Sequence, residues 1–268
     1  MTDAQDVQVQ YKDDQNLNAR IALHARFSTN PYGWQRWVFD TLERAGLPEY
    51  AQVLELGCGP GDLWESNRAR IPAGWALTLT DASDGMVEAA QEKLGELPIA
   101  PAFRTVDAQS IPFAGGTFDA VVANHMLYHV PDRQQALNEV RRVLKPGGML
   151  FATTVGEGHM RELWNLVEPF VPDIHDRTQG VSSRAFSLQS GGEQLVQVFA
   201  NVARYDYEDG LEVTDVQPVI AYLRSTTVLM HCTLEPSQWA TIRRIVAAHI
   251  ETKGAFHITK ASGIFIAS

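Results

Sequence analysis

In the stretch VLELGCGPGDLW, residues 53–64, an apolar run ends abruptly in a cluster of glycines. Its first four residues are three aliphatic side chains and one acid, a composition typical of a buried strand. The glycines that follow are Gly57, Gly59 and Gly61. Because glycine has no Cβ, this spacing predicts a turn whose backbone passes close to another group.

Composition limits the classes of protein to which the chain can belong. It has 268 residues, of which 45% are hydrophobic and 20% charged, as in ordinary globular proteins. The net charge of −10 argues against a nucleic-acid-binding surface, which needs clustered Lys and Arg. The acidic start resembles no signal peptide, and no apolar run is long enough for a membrane helix. Two distant cysteines predict neither a disulfide framework nor a zinc site, so we expect a cytoplasmic protein without membrane partners.

Strand and helix patterns alternate on both sides of the glycine turn. Further strands are predicted within 75–83, 102–113, 118–130 and 149–155, with helices over 83–95 and 133–148. This alternation predicts an α/β fold with a doubly wound, mostly parallel sheet. After residue 155 the rhythm changes to helices, one late strand in ARYDYED and a final strand in SGIFIAS.

Two acids follow predicted strands at positions suited to a nucleoside. Asp81 ends the second strand, where a carboxylate can accept hydrogen bonds from both hydroxyls of a ribose. Asp107 ends the third strand and could accept a hydrogen bond from an adenine amino group, with the Ala108 N–H bonding a ring nitrogen. The glycine spacing is G-x-G-x-G rather than G-x-G-x-x-G, which disfavours an NAD-dependent enzyme.

The motifs LELGCGPG, LTDAS, VDAQSIPF, FDAVVANHMLYHV and RVLKPGGMLFAT stand in an order that identifies a family. Together they resemble the class I, Rossmann-like S-adenosylmethionine-dependent methyltransferases. The resemblance covers about residues 50–155 and implies a seven-stranded sheet whose last strand is antiparallel. It implies S-adenosylmethionine as cofactor and S-adenosylhomocysteine as product.

The resemblance also assigns roles to individual residues. The three glycines would let the methionine part of the cofactor lie against the backbone, with Cys58 as an inert small residue between them. Glu55 would orient the cofactor's amino group, and Asn124 would face that group or the methyl donor. The nucleoside would be held by Asp81, Ala82, Met86, Asp107 and Ala108.

The domain organisation is predicted to place extra segments around this core. Residues 1–45 would form a helical lid, 46–155 the cofactor-binding core, and 156–268 the late strands with cap insertions at about 156–186 and 213–260. Both insertions leave from the carboxyl edge of the sheet, where the acceptor of the methyl group should sit. A covered pocket predicts a small-molecule acceptor, methylated on oxygen, nitrogen or carbon.

Candidates for a catalytic base lie at this edge and in the lid. They are His125, His129, Tyr11 and His24, with His125 favoured because it follows Asn124. The two histidines four residues apart have no third ligand nearby, so no metal site is predicted. Two alternatives stay open: a methyltransferase acting on macromolecules, and a protein that binds S-adenosylmethionine without transferring methyl. The Asn/Asp-Pro-Pro-Tyr motif of enzymes that methylate bases or glutamine is absent.

Overall fold

A computed structural model describes residues 22–97, 99–175, 185–226, 229, 232 and 234–268. Their centre is one seven-stranded sheet in the order β3-β2-β1-β4-β5-β7-β6. The strands are β1 (Gln52–Leu56), β2 (Ala76–Asp81), β3 (Ala102–Thr105), β4 (Phe118–Asn124), β5 (Leu144–Val155), β6 (Val202–Val213) and β7 (Phe256–Ala267). Strands β1 to β5 are parallel and β7 pairs antiparallel with β5, as predicted.

Of the eight helices named here, the first precedes β1 and the other seven connect strands. The helices are α1 (Trp34–Arg44), α2 (Asp62–Glu65), α3 (Asp84–Leu94), α4 (Arg133–Val143), α5 (Arg161–Val167), α6 (Gly191–Leu195), α7 (Val216–Ser225) and α8 (Pro236–Lys253). Residues 22–27 are helical too, and single 3-10 turns occupy Arg68–Arg70 and Leu127–His129. No helix among the described residues has the length and apolarity needed to cross a bilayer.

The chain divides into two compact units. Of the described residues, the core unit comprises 32–97, 99–156, 185–207 and 262–268, so it includes α1 and most of the sheet. The smaller unit comprises the described residues within 22–31, 157–175 and 208–261, and it includes α5, α7 and α8. The long strands β6 and β7 contribute residues to both units.

Alternate residues of the core strands pack to opposite faces of the sheet. On one face, Leu54 and Leu56 of β1 belong to an apolar cluster with Leu137 and Val140 of α4. On the other face, Val53 belongs to a cluster that includes residues of α1 and α3. This period of two follows from strand geometry and gives the central strands their nearly continuous apolar sequence.

The connection between α4 and β5 differs from its prediction. The helix was predicted over 133–148 but ends at Val143, and Leu144 is already extended. Pro146 explains the early end, because a proline disfavours helical backbone in the residue before it. The register of β4 and β5 then shifts between Leu144 and Met149, so the Pro-Gly-Gly motif forms an irregular start of the strand.

The smaller unit has its own apolar core. Leu163 of α5, Leu223 of α7 and Ile242 of α8 are fully buried in it, together with Leu211 of β6 and Ile258 of β7. Helix α8 begins with a capping box between Glu235 and Gln238 and a proline in its first turn. These caps fix the start of the longest helix in the described chain.

Candidate functional site

The glycine turn joins β1 to α2 and holds three residues with positive φ. The φ angles of Gly57, Gly59 and Gly61 are 66°, 53° and 84°. A Cβ added at Gly57 would lie 2.7 Å from Cβ of Met126, and one at Gly61 would lie 2.5 Å from Cδ1 of Leu94. Packing therefore excludes side chains at these two positions. Gly59 is different, because nothing lies within 4 Å of its added Cβ, and that open space is where a ligand could approach the backbone.

Asp81, at the end of β2, accepts hydrogen bonds from the backbone of this turn and of the residues that follow β2. Its Oδ2 accepts the Gly59 N–H at 2.9 Å and its Oδ1 accepts the Ser83 N–H at 2.9 Å. A carboxylate has about four acceptor positions, so two backbone bonds leave capacity for further hydroxyl donors. Asp81 can thus shape the turn and still bind the hydroxyls of a ribose.

Glu55 lies beneath the turn and is almost completely buried, with 1% of its surface exposed. Its Oε2 accepts the indole N–H of Trp64 at 2.5 Å. Burial raises the pKa of Glu55 to about 8; the Trp64 hydrogen bond opposes this shift, and the nearby carboxylates of Asp81 and Asp62 add to it. The carboxyl is therefore largely protonated at neutral pH in the protein alone.

Cys58 points into the protein rather than toward a reactive edge. It is buried, and burial together with the charges of Glu55 and Asp81 raises the pKa of its thiol well above the usual range. Its backbone N–H donates to the Thr80 carbonyl at 2.8 Å. A thiol in this state is a poor nucleophile, in keeping with the predicted inert role.

The other predicted nucleoside contacts follow β2 and β3 at the same edge of the sheet. Ala82 is exposed, and Met86 is half-buried in the first turn of α3. Asp107 is exposed, and its carboxylate accepts the Gln109 backbone N–H at 2.8 Å and its side-chain amide at 3.0 and 3.1 Å. Ala108 is buried beside it.

At the end of β4, two predicted residues share one partner. The Oγ1 of Thr153 on β5 donates to Oδ1 of Asn124 at 2.7 Å and accepts the His125 N–H at 2.8 Å. His125 has a φ of 54°, a left-handed conformation that is uncommon outside glycine. Its ring packs on that of Trp34, with centroids 4.9 Å apart. Sequence patterns identified Asn124 and His125 but neither Thr153 nor this ring contact.

The remaining base candidates are spread over the chain. His129 is exposed and packs on Tyr128, with ring centroids 4.6 Å apart. His24 belongs to the smaller unit, where burial and then the Lys260 ammonium lower its pKa to about 4. Tyr11 lies outside the described residues. Within the described ranges, no three His, Cys, Asp or Glu side chains are placed to hold a metal ion.

Trp64 is a site residue that the sequence analysis missed. It is fully buried in α2, and a tryptophan eleven residues after the start of an apolar strand is ordinarily read as core. The one available signal was Glu55 itself, because a buried acid needs a hydrogen-bond donor within reach.

This geometry agrees with the comparisons to known proteins. Residues 54–152 match the sequence model of a methyltransferase domain family. This match lies within residues 50–155, where the motifs of the sequence resemble the class I methyltransferases, and it agrees with that resemblance for this part of the chain.

The methyltransferase domain has relatives with several acceptors. A ubiquinone/menaquinone biosynthesis C-methyltransferase of Idiomarina loihiensis is 34% identical over 117 residues, which are 43% of this chain and 45% of that protein. The chain thus spans less than half the length of this curated relative. The YcgJ protein of Bacillus subtilis superposes with a TM-score of 0.56 at 17% identity, covering 85% of this chain and 96% of its own.

A third comparison involves a structure that contains the cofactor. Phosphoethanolamine N-methyltransferase 2 of Haemonchus contortus, in complex with S-adenosyl-L-methionine, matches with a TM-score of 0.57 at 18% identity. The match covers 96% of this chain and 57% of that chain. At these identities the two solved structures show the shared fold and not a shared acceptor.

Proposed function

We propose that the chain is an S-adenosylmethionine-dependent methyltransferase that acts on a small molecule. The observation that carries the proposal is the glycine turn held against Asp81, with open space beside Gly59 and a hydrogen bond from its N–H to the carboxylate. Methyltransferase relatives with C- and N-acceptors support the reaction type but leave the accepting atom open.

The cofactor fits the residues present at this edge. The open backbone at Gly59 would lie along its methionine part, and the remaining acceptor positions of Asp81 would bind its ribose hydroxyls. Asp107 and Ala108 would contact the adenine, with Ala82 and Met86 beside it. Glu55 would receive the cofactor's ammonium group, whose charge favours the ionised carboxylate. When bound, the cofactor supplies a methyl group on a positively charged sulfur.

The chain's own task in this reaction is to position an acceptor and, where needed, to remove its proton. We place His125 in that role, because it follows Asn124 at the carboxyl end of β4 and is held in a left-handed conformation. Unusual backbone conformations that persist in a folded protein concentrate at functional sites. His129, His24 and Tyr11 remain alternatives for the base.

Calorimetric titration tests the cofactor site. S-adenosylmethionine and S-adenosylhomocysteine should bind the wild-type protein near the micromolar range, about −8 kcal/mol, and NAD should not bind. Asp81→Ala should weaken both by about 100-fold, since it removes the ribose acceptor and the brace on Gly59. The matched control is Asp215→Ala, which removes a carboxylate that caps α7 in the smaller unit and should leave binding unchanged.

Transfer of a labelled methyl group tests the acceptor class. The wild-type protein is incubated with methyl-labelled S-adenosylmethionine and a cell extract separated into small molecules and macromolecules. Label in the small-molecule fraction is expected. Label confined to protein or nucleic acid would replace our proposal with a macromolecule-modifying enzyme. Cofactor binding with no transfer to either fraction would favour a protein that binds S-adenosylmethionine for another purpose.

A further inference from the structure

Thr153 is a fully buried polar residue in the middle of the sheet. It lies on β5 directly opposite Asn124 in the parallel pairing of β4 and β5. Its hydroxyl contacts both Asn124 and His125, at 2.7 Å and 2.8 Å. These distances are those of well-formed hydrogen bonds.

The atoms that face this hydroxyl give the direction of its bonds: a backbone N–H on one side and the amide oxygen of Asn124 on the other. A threonine hydroxyl has one hydrogen to donate and two lone pairs that accept. The His125 N–H supplies its own hydrogen, so the hydroxyl accepts there. Its hydrogen is then free to be donated to Asn124, and the side-chain atom that receives it is the carbonyl oxygen Oδ1.

This assignment determines what Asn124 offers to a ligand. With Oδ1 turned to Thr153, the Nδ2 amide group points away from that bond, and it makes no hydrogen bond to any described residue. The side chain is only partly buried. An amide NH2 group donates two hydrogen bonds and accepts none. It therefore suits an oxygen of a ligand and not an ammonium group.

Thr153 also holds the unusual backbone of His125. A left-handed backbone is strained in a non-glycine residue, so the surrounding contacts must hold it in place. For His125 the neighbours are the hydroxyl of Thr153, which binds its N–H, and the ring of Trp34, which packs on its imidazole. One threonine thus orients two adjacent side chains at the carboxyl end of β4.

We propose that Thr153 is a positioning residue of the methyl-transfer site, which turns Asn124 into a hydrogen-bond donor aimed at an oxygen of the acceptor. The inference rests on the proposed function and narrows the acceptor to a molecule with an oxygen beside the methylated atom. From the sequence, Asn124 is predicted to face the cofactor's amino group or the methyl donor, and the inference differs from the first of these two predictions.

The first experiment compares Thr153→Val with Thr154→Val. Both residues are fully buried on β5, and the Thr154 hydroxyl donates elsewhere, to the Phe186 carbonyl at 2.5 Å. Each variant loses one buried hydroxyl, which makes two hydrogen bonds at Thr153 and one at Thr154. We expect Thr153→Val to lower kcat with the acceptor fraction described above by about tenfold or more, equal to about 1.4 kcal/mol in the barrier. Thr154→Val should retain the wild-type kcat once folded.

Two further readouts separate positioning from a structural effect. Thr153→Ser keeps the hydroxyl and should restore most of the activity. In Thr153→Val the calorimetric affinity for S-adenosylhomocysteine should change less than about threefold. The Asn124 amide that Thr153 orients is proposed to bind the methyl acceptor and not the cofactor. Equal losses in Thr153→Val and Thr154→Val, or no rescue by serine, would overturn the inference.

Asn124→Asp tests the direction of the hydrogen bond. If Asn124 is a donor, the added negative charge should leave S-adenosylhomocysteine binding no tighter and should reduce methyl transfer. If Asn124 accepts from the cofactor's ammonium, the carboxylate should tighten binding, and our inference fails while the proposed function stands. Failure of the wild-type protein to bind S-adenosylmethionine would instead refute the proposed function.

Discussion

Glu55 and Asp209 are both buried carboxylates, but their surroundings shift their pKa values in opposite directions. Glu55, in the core unit, has the neutral Trp64 indole as its side-chain donor and other acids nearby, and its pKa rises to about 8. In the smaller unit, burial by itself would raise the pKa of Asp209 as well. However, the Lys260 ammonium, the Ser28 hydroxyl and the Asn30 N–H together lower its pKa.

The two carboxylates therefore have different roles in their units. Asp209 is an ionised partner in a hydrogen-bonded network, and its side chain is fully buried while that of Lys260 is 11% exposed. Such a pair specifies geometry, because each charge needs the other. Glu55 has no partner cation among the described residues. A buried carboxyl without a cation can pair with a positively charged group of a ligand, and the ammonium of the proposed cofactor is such a group.

The largest effect should come from removing the cation of the paired carboxylate. Lys260→Met leaves the charge of Asp209 buried and uncompensated, which costs about 3–5 kcal/mol of unfolding free energy. Urea unfolding of the whole chain measures this loss. Replacing both residues, Lys260→Met with Asp209→Asn, should recover part of it because no lone charge remains.

A surface ion pair gives the matched control for this comparison. Lys93 and Asp62 are 2.6 Å apart, but their side chains are 37% and 46% exposed. Lys93→Met should therefore cost less than about 1 kcal/mol. Equal losses in Lys93→Met and Lys260→Met would show that the Asp209 pair is not an essential buried network.

The cofactor half of the core unit could be predicted from sequence because its chemistry is local. Gly57 follows β1 directly, Asp81 ends β2 and Asp107 lies two residues after β3, and parallel strands bring their carboxyl ends to one edge. Their positions therefore follow once the strands are recognised. The same logic placed Asn124 and His125 at the end of β4.

The rest depends on contacts between distant parts of the chain. Thr153 meets Asn124 only because of the β4–β5 register, which a 29-residue separation and an irregular Pro-Gly-Gly start conceal. Asp209 is 181 residues from Ser28 and 51 from Lys260, and no local pattern marks any of the three. Strand β7 was also predicted too short: it begins at Phe256, where the sequence lacks the glycine-to-apolar change that marked SGIFIAS.

Glu55, which has no partner cation among the described residues, should make the free energy of unfolding depend on pH. The folded-state pKa of Glu55 is about 8, above its ordinary value, so the folded protein holds a proton that the unfolded chain releases. The stabilisation is fully present below the ordinary pKa of a glutamate and is lost as pH rises toward 8. Between pH 5 and 8 the free energy of unfolding of the wild-type protein should fall by about 3 kcal/mol relative to that of Glu55→Gln.

Glu65→Gln is the control for that pH series. Glu65 is an exposed acid of the neighbouring helix α2 that pairs with Arg68, so its replacement should leave the pH dependence of unfolding as in the wild type. Unfolding free energies are measured by urea titration at each pH. A wild-type curve parallel to that of Glu55→Gln would mean that Glu55 is ionised throughout, and the contrast with Asp209 would disappear.

His24 is a basic residue buried near Lys260 and Asp209, and it should also make the free energy of unfolding depend on pH. Burial first, and the charge of Lys260 second, lower its pKa to about 4, while Asp209 acts in the opposite direction. The folded protein therefore disfavours the protonated ring, and the stability present above the ordinary histidine pKa of 6.5 is lost as pH falls toward 4.

Between pH 7 and 5 the wild-type protein should lose about 2 kcal/mol relative to His24→Phe, a variant that keeps an aromatic ring against Tyr222. His257→Gln changes a histidine whose side chain is 60% exposed and should follow the wild type. If His24→Phe loses as much stability in acid as the wild type, then His24 is protonated in the folded protein. In that case Asp209 would neutralise the positive charge of Lys260 fully, and Lys260 would not lower the pKa of His24.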